Sequence, residues 1–351
     1  MTILALDLGK FKTVACLYTP GTDEHQFVTV PTNPQAFHDL FVAHQPHLII
    51  IEACSIMGWV VDLAQGLDLT IQVANANDER WSWKRVKRKT DRDDALKLAR
   101  LSAMNQLHLV HVPSRPIRQW RSLIVQRHRL KHDRVAIKNA IRSLLDTQAI
   151  AWPAGAKGWS VQARERLSTM ACDLADCPIE QLWRGQLHIH LQQLRSVESL
   201  LHQVEMRLNI IAMADDRVRR VMTIPHVHLR TAEVLVAYLD DPDRFRSARQ
   251  VSCYAGLTPR QHQSGAMNRQ GRISKRGPAL LRGLLLHVAW GMTRQCDQAK
   301  AVFDRVTGGH ASKRKKAAVA VGRKVLICAW AMMRDRTDWQ PQKMGLAASA
   351  V

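Results

Sequence analysis

The stretch KRKTDRDDALKLAR, Lys87 to Arg100, sets three acids, Asp91, Asp93 and Asp94, inside one of the most basic parts of the chain. Thr90 and Asp93 fit the T-x-x-D box that starts a helix, in which each side chain satisfies a backbone N–H beside the other residue. That assigns Asp93 to capping. Asp91 and Asp94 remain, spaced i, i+3, and so project on one face of the first helical turn. Two like charges there repel, which a plain surface helix has no reason to favour. A divalent cation reverses the sign of that interaction.

Upstream, apolar runs at Ile3–Leu8, Thr13–Tyr18, Phe27–Val30, Leu48–Ile51 and Leu69–Ala74 read as strands, with helices at Pro34–His44 and Ser55–Leu67. Three early strands followed by strands separated by helices predict a mixed α/β sheet. Asp7 lies inside the first apolar run, ILALDLGK, and Glu52 ends another, LIIIEA. An acid in such a run is costly unless it is paired or bound to a metal. Each alone could be a strand-end acid or a satisfied buried one; together they can meet on one rim of a sheet. Asp7, Glu52, Asp91 and Asp94 then offer hard oxygen ligands for Mg²⁺ or Mn²⁺. A pair of such ions can clamp the attacking and leaving oxygens of a phosphodiester.

The charge points to the same substrate class. The 351 residues carry 51 Lys+Arg against 30 Asp+Glu, a net +21, with a pI near 10.3. Such a chain attracts polyanions, nucleic acid first among them. Lys84, Arg85, Lys87, Arg88 and Lys89 supply part of that charge just before the acidic helix. The seven cysteines are scattered, with no CxxC pair, and read as reduced thiols rather than disulfides or a zinc site. The N-terminal run is too short and too acidic for a signal peptide, and no later run reaches spanning length, so the expectation is a soluble cytoplasmic protein without a membrane partner.

From about Ser114 the pattern turns to long helices, Arg115–Ile150 and Ile179–Ile211, joined through the loop AWPAGAKGWS. They predict an antiparallel pair or an oligomerisation arm. A compact segment from Arg217 to about Arg294 follows, with a basic, glycine-rich loop between Thr258 and Pro278, then a helix over Lys313–Arg334 and a frayed tail. In that loop Gly265, Gly271 and Gly277 would let backbone approach phosphate, and Arg260, Arg269, Arg272, Lys275 and Arg276 supply charge. Ser264 precedes Gly265; an isolated Ser-Gly pair is ordinarily a turn. The expected domains are 1–112, 113–212, 213–300 and 301–351.

The acid order, strand, strand, helix, resembles the ribonuclease H-like fold and specifically its RuvC-like resolvases. The actin-like fold also opens on a DLG-type strand and would hold ATP phosphates at a second glycine turn, for which TGGH (Thr307–His310) is a weak candidate. The combination ALDLGK, IIIEAC, KTDRDDA, RFRSARQVSCYAGLTPR, SG and GRISKRGPALLR resembles the insertion-sequence one-hundred-and-ten family of DEDD transposases, over nearly the whole chain. That resemblance implies a RuvC-like domain, a helical coiled-coil arm and a mainly helical transposase domain. It implies Mg²⁺ at Asp7, Glu52, Asp91 and Asp94, and a nucleophilic Ser264 that attacks DNA. It also implies a non-coding bridge (seeker) RNA as guide, donor and target DNA as substrates, and dimers that pair into a tetramer. One departure stands out: a turn expected as I-P-G-V-G reads IPHVH, with His226 and His228 at the glycine positions. A water-using junction nuclease and a non-enzymatic nucleic-acid scaffold are the competing readings.

Overall fold

A computed structural model describes residues 1–76, 90–264 and 267–345, except for the side chains of residues 262–264, 267–268 and 270. Among them the chain forms two compact units, Met1–Arg115 and Pro116–Val351.

The first unit is built on β1 (Ile3–Leu8), β2 (Lys12–Thr19), β3 (Glu24–Pro31), α1 (Pro34–His44), β4 (Leu48–Glu52), α2 (Met57–Gly66), β5 (Ile71–Ala74) and α3 (Asp91–Ala103). Its sheet runs in the order β3-β2-β1-β4-β5. The first three strands are antiparallel neighbours, while β4 and β5 join parallel to β1. This is the mixed sheet of the ribonuclease H-like fold. Period-two burial splits the side chains between two layers. Leu4, Leu6, Ile49 and Ile51 pack against α1 and α2, whereas Ile3, Ala5, Leu48 and Ile50 pack against Ala95, Leu98 and Ala99 of α3. The sharp β1–β2 turn depends on Gly9, where a Cβ would lie 2.3 Å from the Lys12 carbonyl oxygen.

The second unit starts with two 33-residue helices, α4 (Arg115–Thr147) and α6 (Leu182–Ala214), with α5 (Val161–Met170) between them. They are antiparallel. Trp120 and Ile124 near the start of α4 share one core with Leu208 and Ala212 at the end of α6, while Ile141 and Leu145 meet Leu187 and Leu191 in another. At about 1.5 Å per residue each helix is roughly 50 Å long, an arm with its own distal core. Trp152 and Trp159 close that distal core, and Trp152 Nε1 donates to Gly158 O at 3.0 Å. The expected joining loop thus holds only part of the connection, the rest being α5 and two short 3-10 turns, Leu174–Asp176 and Ile179–Gln181.

The arm roots in a helical domain of α7 (Asp216–Val221), α8 (Leu229–Leu239), α9 (Ala248–Tyr254), β6 (Pro259–Ser264), β7 (Met267–Ile273), α10 (Ala279–Gln295), α11 (Asp297–Thr307), α12 (Arg314–Asp335) and α13 (Pro341–Gly345). Two expectations are corrected. The segment from Thr258 to Pro278 contains an antiparallel pair, β6 with β7, rather than only loop. And the tail forms α13 as far as Gly345, anchored by a buried Met344. TGGH closes α11: Gly308 is its left-handed C-cap, which is the ordinary work of such a glycine. Among the described residues no helix is long and apolar enough to cross a membrane.

Candidate active site

Asp7 and Glu52 reach the same rim because of strand register. In the parallel β1–β4 pair Leu6 stands opposite Ile51, and each acid is the next residue on. Both fall in the alternation of Ile3 and Ala5, or of Leu48 and Ile50, which is the α3 face of the sheet. Both are half-buried.

Helix α3 begins as its sequence requires. Thr90 Oγ1 accepts from Asp93 N at 3.2 Å, and Thr90 N donates back to Asp93 Oδ2 at 3.1 Å. Asp93 is therefore a cap. Ala95, Leu98 and Ala99 form the buried stripe, and Asp91 and Asp94 extend that stripe one turn towards the N-terminus, each four residues before one of its members. Asp91 is exposed; Asp94 is only 7% exposed.

The direction of α3 brings the pairs together. Arg100 Nε donates to Asp23 Oδ1 at 2.9 Å, and Asp23 sits in the β2–β3 turn. That turn follows the end of β2, which lies beside the start of β1, with Ile3 opposite Tyr18. The C-terminal half of α3 therefore overlies the start of β1. Its first turn, with Asp91 and Asp94, overlies the carboxyl ends of β1 and β4. The Arg100 guanidinium holds the Asp23 carboxyl below its usual range, and burial pushes the Cys16 thiol beneath the helix up to about 11. Neither Asp23 nor Arg100 was marked by the sequence, since their pairing spans 77 positions.

The four carboxylates are the right donors for Mg²⁺ or Mn²⁺, and their elements converge. Among the described residues, however, no group of three or more His, Cys, Asp or Glu side chains is arranged to hold a metal ion. Asp7, Glu52 and Asp94 are each engaged in other interactions rather than free. Lys84, Arg85, Lys87, Arg88 and Lys89 lie outside the described residues.

In the second unit Ser264 is the last residue of β6, opposite Met267 at the start of β7. Its side chain, like the whole of Gly265, lies outside the described residues. The pairing is interrupted once. Gly271 and Arg272 stand opposite the single Arg260, since Pro259 pairs with Ile273 and Gln261 with Gln270. Arg260, Arg269, Arg272, Lys275 and Arg276 are all exposed.

The base of this hairpin is tied down by residues whose role sequence reasoning missed. Arg282 Nη1 donates to Ala255 O, Arg276 O and Gly277 O at 3.2, 3.0 and 2.8 Å. Gly277 has a φ of 82°, and a Cβ there would fall 2.0 Å from the Tyr254 carbonyl oxygen. Gly256 is matched to it, with φ 67° and the Arg276 carbonyl 2.0 Å from a Cβ position. The only sequence trace was an arginine four residues beyond Pro278. His226 takes the left-handed backbone expected of a glycine, with φ 62°. Its ring packs on Gly291 of α10, where a Cβ would meet Nδ1 at 2.7 Å, and its Nε2 is buried without a hydrogen-bond partner.

Comparison with known proteins matches both regions. A transposase model of the DEDD type fits residues 4–149, the stretch holding all four acids. A second, the Transposase IS116/IS110/IS902 family, fits residues 218–305, which hold Ser264. A probable family 20 transposase of Pseudomonas aeruginosa is 27% identical over 344 residues, 96% of this chain and 98% of the other. The transposase for insertion sequence element IS1111A of Coxiella burnetii is 31% identical over 206 residues, 59% of this chain and 55% of that one. A pilin gene-inverting protein of Moraxella lacunata is 25% identical over 348 residues, 95% of this chain and 96% of its own.

Proposed function

We infer the chemistry of this chain from the family it belongs to, the DEDD transposases of the IS116/IS110/IS902 group. The chain is a transposase-type recombinase. The finer reading proposed here is strand exchange through a covalent phosphoserine link at Ser264, assisted by the acids Asp7, Glu52, Asp91 and Asp94 and directed by a non-coding guide RNA.

The observation that supports it most is the buried carboxylate of Asp94, held on the sheet-facing stripe of α3 above the strand ends that carry Asp7 and Glu52. These carboxylates are hard oxygen donors carried by elements that converge on one rim, the donor chemistry that Mg²⁺ or Mn²⁺ takes. Bound Mg²⁺ would supply charge stabilisation at the scissile phosphate and lower the cost of deprotonating the attacking hydroxyl. The chain's own residues do the rest. The Ser264 oxygen forms a bond to phosphorus as one DNA oxygen leaves, so the bond energy is kept in the phosphoserine link and a second strand's hydroxyl can reverse the exchange. Arg260, Arg269 and Arg272 along the hairpin bind the flanking phosphates. Resemblance to a gene-inverting protein favours this over hydrolysis, because inversion must rejoin every end it cuts.

The acids and Ser264 belong to different units, so a complete site needs both brought together, in one chain or between subunits. A dimer through the arm of α4 and α6, paired again on two DNAs, would provide this. Target choice would rest on base pairing by the RNA, with the protein contributing phosphate contacts. The test is recombination between two plasmids bearing the element's ends, with and without the flanking non-coding RNA and Mg²⁺. Exchange should need both. Site-specific exchange by RNA-free protein would refute the guided reading.

A further inference from the structure

The second unit has a cleft of about 380 Å³ between α4, α8 and α10. That is within the range of small-ligand sites. Its floor is apolar, made by Ile124, Val234, Leu280 and Leu284. Gly283 lies among them, and a Cβ there would meet nothing within 4 Å, so this position opens into the cleft.

The rim is cationic, and its charges are unequally committed. Arg127 pairs with Glu205, Nη2 to Oε1 at 2.7 Å. Arg230 pairs with Glu233 at 2.7 Å and also bonds Asn209. Glu233 is 1% exposed, and burial pushes its carboxyl up against the opposing pull of Arg230. The two acids are thus taken up in holding two arginines. Lys131, one turn beyond Arg127 on α4, has no hydrogen-bond or ion-pair partner among the described residues. Desolvation, then the charges of Arg127 and Arg134, hold its ammonium below the usual lysine range against the smaller opposing pull of Glu205. An anion beside Lys131 would relieve that crowding. His128 and His287, both exposed, bring imidazole rings to the rim from α4 and α10.

A free cation, imidazole faces and an apolar floor with a gap at a glycine match one nucleotide with its base splayed out. Single strands are recognised by base stacking plus phosphate contacts, whereas a duplex keeps its bases inside and is too wide for this cleft. We propose that the α4–α8–α10 cleft holds one unpaired nucleotide of a bound nucleic-acid strand, its phosphate at Lys131 and its base on the floor beside Gly283. Unpaired guide RNA and displaced DNA share this chemistry. Neither the four acids nor Ser264 is among the residues that line it.

The test uses the full chain with labelled single-stranded ribo- and deoxyribo-oligonucleotides and a duplex of the same sequence. Gly283→Leu fills the gap. It should weaken binding of at least one single strand about 10-fold, from the loss of one base's apolar burial on the floor, with duplex affinity unchanged. Lys131→Gln should flatten the single-strand salt dependence by roughly 0.7 in the log–log slope, the loss of one phosphate contact. It is an exposed change that decides the matter alone if Gly283→Leu does not fold. An effect confined to RNA assigns the cleft to the guide; one confined to DNA assigns it to a displaced strand. Wild-type binding by folded Gly283→Leu, or equal loss on duplex and single strand, overturns the proposal, as does an unchanged slope for Lys131→Gln.

Discussion

Asp7 and Glu52 occupy corresponding positions on adjacent parallel strands, each one residue beyond the paired Leu6 and Ile51. Each would be an awkward acid in its own strand. The register makes them one feature, and α3 brings Asp91 and Asp94 over the same rim.

Replacing Asp7, Glu52, Asp91 or Asp94 singly with Ala should abolish strand exchange, while circular dichroism and DNA binding stay as in the wild type. Asp93→Ala should recombine and lose only its helix cap, about 1 kcal/mol in denaturant unfolding. A dead Asp93→Ala beside an active Asp94→Ala would put the helix register wrong.

Arg282→Ala removes three hydrogen bonds from the base of the serine hairpin. Bonds from a charged donor are worth about 1.5–3 kcal/mol. A loss of about 2 kcal/mol in stability is expected, with strand exchange falling further than DNA affinity. Gly277→Ala, forced against the Tyr254 carbonyl in left-handed backbone, should do the same. Wild-type exchange by both variants would show that the hairpin base has no part in placing Ser264.

The arm carries a pH-dependent contact. Arg164 grips Glu198 with Nη1 at 2.6 Å and Nη2 at 2.9 Å, with Lys138 at 3.5 Å, and these cations lower the Glu198 pKa, Arg164 most. A lowered pKa means the contribution is present above the unfolded carboxylate value and is lost as pH falls through the folded one. Glu198→Gln should therefore cost about 1 kcal/mol at pH 7, and the gap to wild type should close towards pH 3. A difference that holds constant with pH would exclude the ion pair as its source.

Nucleic-acid affinity should fall steeply between low and physiological salt, since each neutralised phosphate releases counterions. A flat response would remove the net +21 charge as the main driver.

Sequence revealed the first unit well because its sheet is buried on both faces. Runs such as LIIIE have no other stable reading, and the Thr90–Asp93 box fixes the start of α3 to the residue. It did not reveal the β6–β7 pair. PRQHQS and MNRQGRI carry no apolar alternation by which a strand pair could be read, and their pairing is seen only in the backbone register. The Arg100–Asp23 contact and the Arg282 anchor were illegible for a related reason: both are set by how elements fold back, not by local spacing. Asp91 and Asp94 could be singled out only after Asp93 had been assigned to the cap.

The most direct test of the central claim is a DNA substrate nicked near the scissile phosphate, incubated with protein, guide RNA and Mg²⁺, then denatured. The account predicts a protein–DNA adduct that survives denaturation and maps to Ser264. Ser264→Ala should lose both adduct and exchange while keeping DNA binding, and Ser274→Ala, a control at the serine directly after β7, should retain all three. Cleavage without an adduct, an adduct mapping to another residue, or exchange by Ser264→Ala would contradict it.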